Sequence, residues 1–376
     1  MKPFVDYYRE AGISPVKQDV SNLGRHYAGR DGLYRHLGIP ALCFRGAEVI
    51  EFGPGSGHNA LFVASMNPSR YVLVEANPHG VREMRALFAE QNVRANIEIA
   101  ETLVEDYATP DRFEFVLAEG LIPFSTTPHV LARKIATFAE SGGVMVITCC
   151  DAASAMGEIL RRFIARRFVE LDRPRDERVR LLTQIFEPHL RTLEAATRSA
   201  EDWVLDNIVH PFTGELFGIG EAIETLSADF DVYASSPHFF VDWRWYKRIP
   251  SGDGDYNKRA IRAYRRVVCN MLDYRSNLPP HDETLGIEVL RTCSEVYALM
   301  QRSEASGEDV GDELVRHLDE LRGLTQEIAP ATAAAFASAR TFLRSARPDA
   351  ATLAHFEPFF GRGMQYLSLI RRPGYR

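Results

Sequence analysis

Val49-Ile-Glu-Phe-Gly-Pro-Gly-Ser-Gly-His-Asn59 joins a short apolar run directly to three alternately spaced glycines. The run predicts a buried strand, the glycines a tight turn and the residues after them a helix start. Gly53, Gly55 and Gly57 lack the Cβ atoms that would hold a ligand away from the backbone, and the N–H groups of a helix start attract electron-rich atoms. Glu51 puts a carboxylate at the end of the strand.

A second strand is predicted at Tyr71 to Val74 and ends in Glu75, which lies 75 − 55 = 20 residues beyond the middle glycine. In doubly wound folds an acid at this place, about 20 residues after the turn, holds ribose hydroxyls. Glu75 therefore suits a ribose diol, and Glu51 suits a cationic group such as an amino acid's ammonium. A pyrophosphate would be repelled by Glu51, and the third glycine comes one position too early for the dinucleotide spacing G-x-G-x-x-G.

Glu51-Phe-Gly-Pro-Gly-Ser-Gly57 followed by Val72-Leu-Val-Glu-Ala-Asn77 resembles the first two motifs of class I S-adenosylmethionine-dependent methyltransferases. A lone glycine turn is weak evidence, whereas strand, acid, glycines and second acid in register form a specific pattern. The resemblance implies a doubly wound, Rossmann-like α/β fold with a seven-stranded sheet, its last strand antiparallel. It implies S-adenosyl-L-methionine as cofactor, held by Glu51, Gly53, Pro54, Gly55, Ser56, Gly57, Asn59, Glu75, Ala76 and Asn77.

The core continues with a helix over Gly80 to Gln91, which carries Val81, Met84, Leu87 and Phe88 on one face, and a third strand at Ile97 to Ala100. Glu101, Thr102 and Leu103 follow, where the related enzymes place a polar side chain against the adenine amino group. Glu101 and Thr102 are thus base readers or, alternatively, caps of the following turn. The fourth strand, Phe113 to Ala118, runs into Glu119-Gly-Leu-Ile-Pro123. Ligands bind outside the carboxyl ends of such strands, so Glu119 is a cofactor contact that orients a nucleophile as catalytic base, or an anchor of its turn. This segment lacks the Asn/Asp-Pro-Pro-Tyr of base-methylating relatives.

The turn Ser141-Gly-Gly143 precedes a fifth strand to Cys150, and Asp151 then reads as an N-cap for a helix beginning near Ala153. Ala152 stands where metal-dependent catechol-type enzymes have asparagine, so no catalytic metal is expected. Gly220 to Leu226 and Phe230 to Ser235 match the last helix and sixth strand, and Gln365 to Arg371 the antiparallel seventh.

The predicted organisation is a helical lid at 1–40, a cofactor-binding core at 41–151, a helical insertion at 152–218, core again at 219–244, a helical cap insertion at 245–355 and a C-terminal segment at 356–376. The insertions are expected to cap the carboxyl edge, exclude water and shape the acceptor pocket. Leu314, Leu318, Leu321 and Ile328 form an apolar stripe, Ala331 to Arg344 is rich in helix formers, and Ser251-Gly-Asp-Gly-Asp255 and Ser303 to Asp312 read as loops.

Tyr7, Tyr8, Gln18, His26 and Tyr27 belong to the predicted lid. Asp206 to Phe212, with His210 as second candidate base, and Ser236 to Tyr246 flank the core, with most of their aromatics expected to pack. Arg161, Arg162, Arg166 and Arg167 read as the solvated face of an amphipathic helix, or as a grip for a phosphorylated or carboxylated small substrate.

A formal net charge of −7 argues against a broad nucleic-acid-binding field. Five cysteines without a Cys-x-x-Cys predict reduced thiols and no structural zinc, and the absence of a long apolar run or signal peptide predicts a cytoplasmic protein with no membrane span. The reading is methyl transfer to an oxygen or nitrogen of a small-molecule acceptor, with no nucleic-acid or membrane partner. Aminopropyl or aminocarboxypropyl transfer on the same fold, or a non-catalytic cofactor-binding scaffold, are the alternatives; a nicotinamide enzyme is more distant.

Overall fold

The computed structural model describes residues 18, 20–170, 172–193, 199–210, 212, 214–248, 255–347 and 349–374. Tyr7 and Tyr8 of the predicted lid and residues 251–254 of the predicted loop lie outside them. The chain divides into two compact units, one formed by Met1–Cys149, Gly214–Ile261 and Gln365–Arg376, the other by Cys150–Thr213 and Arg262–Met364.

The first unit is built on a seven-stranded sheet: β1 (Glu48–Phe52), β2 (Arg70–Val74), β3 (Ile97–Ala100), β4 (Phe113–Ala118), β5 (Ala139–Cys149), β6 (Phe230–Ser236) and β7 (Gln365–Arg371). The strand order is β3-β2-β1-β4-β5-β7-β6. β1 to β5 are parallel, while β7 runs antiparallel to both β5 and β6. Val49, Ile50 and Phe52 are all buried, as expected of a parallel strand covered on both faces. The order reverses between β1 and β4, which puts the loops after these strands at a switch point.

β5 starts earlier than the sequence pattern indicates. Ala139 pairs with Phe113, the ladder then shifts register, and Val144 resumes opposite Phe115. The predicted Ser141–Gly143 turn is therefore an irregularity inside the strand, with Gly142 at φ +83°.

On this sheet pack the helices Leu23–His36, Ala60–Ser65 and Pro78–Glu90, the last of them starting two residues before its predicted N-terminus. Tyr34 stacks on Phe62 with ring centroids 5.6 Å apart and meets Phe44 edge-on, drawing the first helix into the core. The loop after β6 departs from its expected packing. Phe239 is buried, but Trp243 is 91% exposed and Trp245 and Tyr246 also face solvent. The Asp242–Arg244 ion pair closes a local turn that presents these rings outward.

The second unit is helical, its longest elements being Arg175–Leu190, Glu283–Ser306, Gly311–Thr325 and Pro330–Arg344. Leu314, Leu318 and Leu321 are buried as the stripe requires, while Ile328 lies beyond the helix and is half-buried. Asp151 accepts from the Ser154 amide at 2.9 Å and from the Tyr264 hydroxyl, but the helix begins only at Met156. It closes a turn before the helix instead of capping it.

The expected solvated arginine face is overturned at Arg161 and Arg162, while Arg166 is half-buried and Arg167 is exposed. Arg161 is 0% exposed and Arg162 is buried. Arg161 donates to the carbonyls of Phe359 (2.8 Å) and Glu357 (3.0 Å) and lies 3.6 Å from the ring centroid of Phe360. Carbonyl acceptors and an aromatic face replace water around the guanidinium. Among the described residues no helix is long and apolar enough to cross a membrane.

Candidate active site

The glycine turn leaves the end of β1 with Gly53, Gly55 and Gly57 all at positive φ. A Cβ on Gly57 would stand 2.6 Å from Cγ of Met84, so both the backbone angle and the packing demand glycine there. The backbone of the same Pro78–Glu90 helix also approaches the turn, since a Cβ on Gly80 would meet the Gly55 carbonyl oxygen at 3.0 Å. Pro54 accepts from the Gly57 amide at 2.9 Å, Ser56 Oγ lies 2.8 Å from His58 Nδ1, and Asn59 precedes the Ala60–Ser65 helix.

Glu75, at the tip of β2, fastens this turn. Its Oε2 accepts from the Gly55 amide at 2.8 Å and its Oε1 from the Asn77 amide at 2.7 Å. The Gly55 amide is thereby occupied by protein. Burial pushes the Glu75 carboxyl above its usual range, against the amides of Asn77, Gly55 and Ala76 that favour its charged form. Asn77 caps the next helix by accepting from the His79 amide at 3.0 Å. Beyond β3, Glu101 is exposed while Thr102 and Leu103 are half-buried in the loop.

Glu119 follows β4 on a turn held by Thr148, whose Oγ1 accepts from the Gly120 amide at 2.8 Å. Its carboxylate meets Arg30 in a two-pronged pair, Nη1 to Oε2 at 2.8 Å and Nη2 to Oε1 at 2.5 Å. Tyr34 donates to Oε1 at 3.1 Å and Tyr366 of β7 to Oε2 at 3.4 Å. Glu51 is buried in the same cluster and accepts from the Tyr71 hydroxyl. Burial, and after it the Glu119 charge, pushes the Glu51 carboxyl up to about 7.

The predicted contacts Glu51, Gly53 to Gly57, Asn59, Glu75 to Asn77, Glu101 to Leu103 and Glu119 thus lie in or follow the carboxyl ends of β1, β2, β3 and β4 in one unit. His210 belongs to the other unit, where its carbonyl accepts from Arg162 at 2.8 Å and its side chain is buried. Sequence reasoning singled out His26 and Tyr27 on the first helix. His26 does reach the glycine loop, with Nε2 3.0 Å from the His58 carbonyl oxygen. It missed Arg30 and Tyr34, whose i,i+4 spacing was the available signal, and Tyr71 and Tyr366, which were hidden within strands.

A cluster holding two carboxylates and one guanidinium carries an excess of negative charge when both acids are ionised, and burial strengthens its attraction for a cation. Beside it, Glu75 retains lone pairs for hydroxyl donors.

Residues 50–147 match a family model described as a methyltransferase domain. Among curated proteins, none matches the chain. Among solved structures, the chain is similar to the CcbJ methyltransferase from Streptomyces caelestis, at 19% identity over 31% of this chain and 49% of that one, with a TM-score of 0.27. It is similar to the N-methyltransferase NodS from Bradyrhizobium japonicum, in complex with S-adenosyl-L-homocysteine, at 14% identity over 34% of this chain and 63% of that one (TM-score 0.28). A third is PKMT2 from Rickettsia typhi in complex with AdoHcy, at 13% identity over 65% of this chain and 48% of that one (TM-score 0.40). The chain spans 49% of the length of the first of these.

Proposed function

We propose, for a chain whose core belongs to the class I S-adenosylmethionine-dependent methyltransferase superfamily, that it transfers a methyl group from S-adenosyl-L-methionine to an oxygen or nitrogen of a small-molecule acceptor. The observation that carries this reading is the buried acid cluster at the β1/β4 switch point, set beside a glycine turn fastened by a second acid.

The residues fit the cofactor. Glu51 and Glu119 offer negative charge to its ammonium, Glu75 offers acceptors to the ribose diol, and Glu101 and Thr102 are the candidates for reading the base. Pro54, Ser56, Ala76 and Leu103 are assigned to the same site. When bound, S-adenosylmethionine supplies an already activated methyl group on a sulfonium. The protein then has to align the acceptor, because in-line positioning lowers much of the barrier. Glu119 is engaged by Arg30, Tyr34 and Tyr366, which favours a fixed electrostatic and orienting role over that of a mobile proton acceptor. His210 stays the second candidate base.

Calorimetric titration with S-adenosylmethionine, S-adenosylhomocysteine and NADH in parallel tests the reading. Binding of the two sulfur nucleotides but not NADH is expected, and an acceptor screen then follows release of S-adenosylhomocysteine. Binding of NADH alone overturns it, and release of methylthioadenosine would indicate transfer of the other carbon chain.

A further inference from the structure

The helical unit contains a cavity of about 320 Å³ that shares no residue with the glycine-turn site. Its walls come from the Met156–Ala165 helix and the residues just after it, from the Arg175–Leu190 helix, from the turn at Leu205–Val209 and from the Glu283–Ser306 helix. The lining has two chemistries. Ala165, Val169, Leu182, Ile208 and Val209 are apolar, whereas Arg162, Arg166, Arg178 and Glu304 are charged.

Arg162 is committed to the protein. Its Nε and Nη2 grip the two oxygens of Glu304 at 2.7 and 2.8 Å, and its Nη1 donates to the carbonyls of Asn207 and His210 at 3.0 and 2.8 Å. Glu304 is thereby occupied in a fork-to-fork pair. Arg166 has only a share of it, Nη2 lying 3.2 Å from the oxygen that Arg162 already holds, and its one hydrogen bond goes from Nη1 to Ser303 Oγ at 2.6 Å. Nη2 of Arg166 is buried and, apart from that shared ion-pair contact with Glu304, has no hydrogen-bond partner among the described residues. Burial lowers the pKa of Arg166 and the Arg162 charge adds to the effect, while Glu304 offsets it only in part. A second anion beside Arg166 would relieve that cost and satisfy the orphaned donor.

We propose that this cavity is a binding site for a small organic anion, an oxyanion head carried on an apolar body. Arg166 supplies the charged contact, Arg162 holds Glu304 out of competition, and Val169, Leu182, Ile208 and Val209 take the body. A bare inorganic ion leaves the apolar walls unfilled, and a neutral apolar molecule leaves Arg166 uncompensated.

The test is calorimetric titration of the full chain with four probes: octanoate, phenyl phosphate, octanol and inorganic phosphate. The expected result is one site per chain for octanoate, phenyl phosphate or both, at least about tenfold tighter than for octanol or inorganic phosphate. The octanoate and phenyl phosphate arms distinguish a carboxylate from a phosphate head. Arg166→Gln is expected to weaken that binding by at least about tenfold, and Val209→Trp, which adds the bulk of an indole to an apolar wall of the cavity, to abolish it. Thermal melting of both variants shows whether they are folded, and Val209→Trp carries the test if Arg166→Gln is not. Equal binding of octanol and octanoate, binding of inorganic phosphate alone, anion binding unchanged in a folded variant, or no binding of either organic anion would each overturn the proposal.

Discussion

Arg30 and Glu119 form a two-pronged ion pair across 89 residues of sequence, with only 8% and 6% of their side chains exposed. Each charge is out of water and depends on the other. Removing one partner strands a buried charge, whereas replacing both by apolar groups removes the cost together with the gain. Arg30→Met is therefore expected to lose about 3 to 5 kcal/mol of stability, and the Arg30→Met/Glu119→Leu double variant to recover most of it. Chemical denaturation of the single and double variants measures this, and additive losses would show that the pair is not coupled.

Glu75 fastens the glycine turn and is assigned to the ribose. Glu75→Ala is expected to weaken S-adenosylhomocysteine binding by about 1 to 3 kcal/mol, through lost charged hydrogen bonds and a Gly55 amide left without its acceptor. Calorimetry gives the number, and an unchanged affinity removes the assigned role.

Glu51 makes the site sensitive to pH. Its carboxyl is raised from 4.5 to about 7, first by burial and then by the Glu119 charge, so the folded chain holds a proton that the unfolded chain has released. This contribution favours folding below the unfolded value and is lost as pH rises from about 4.5 through about 7, on the order of 3 kcal/mol. Glu51→Gln should flatten that slope in denaturation curves. An ammonium bound beside Glu51 favours its charged form, so cofactor affinity should increase with pH over the same interval, with proton release visible in buffers of different ionisation enthalpy. A flat profile in the wild-type chain would place Glu51 outside the site.

Gly57 combines φ +79° with a neighbouring Met84 side chain that leaves no room for a methyl. Gly57→Ala is expected to cost about 1 to 3 kcal/mol and to displace the turn. Its melting temperature and its affinity for S-adenosylhomocysteine should fall together. A lower melting temperature with unchanged affinity would separate the turn from ligand binding.

The sheet was legible because each strand carries its instructions locally. Phe113–Ala118 is a largely apolar run, Gln365–Arg371 follows from the strand order of the resemblance, and the structure gives both those limits. The glycine turn was legible for the same reason. The Arg30–Glu119 pair was not, since helix and loop come together through tertiary packing such as that of Tyr34 on Phe62 and Phe44, and nothing in either segment names the other. Arg161 misled for a related reason: an arginine on an amphipathic helix reads as solvated unless carbonyls almost 200 residues away, at Glu357 and Phe359, are known to surround it. Local patterns report periodicity, whereas burial of a charge depends on partners distant in the chain.

The position of β7 has a kinetic meaning. Cys149 pairs with Gln365, 365 − 149 = 216 residues later, so the inner edge of β5 stays open throughout synthesis of everything between them. The same late strand also supplies the inner partner of β6. A nascent chain must therefore carry two unpaired edges, a standing invitation to pair with other chains, until β7 emerges. Truncation ahead of Gln365 should yield aggregate instead of a smaller folded core, which light scattering during refolding would reveal. A monomeric, cooperatively melting truncate would show that β1 to β5 close their edge by other means.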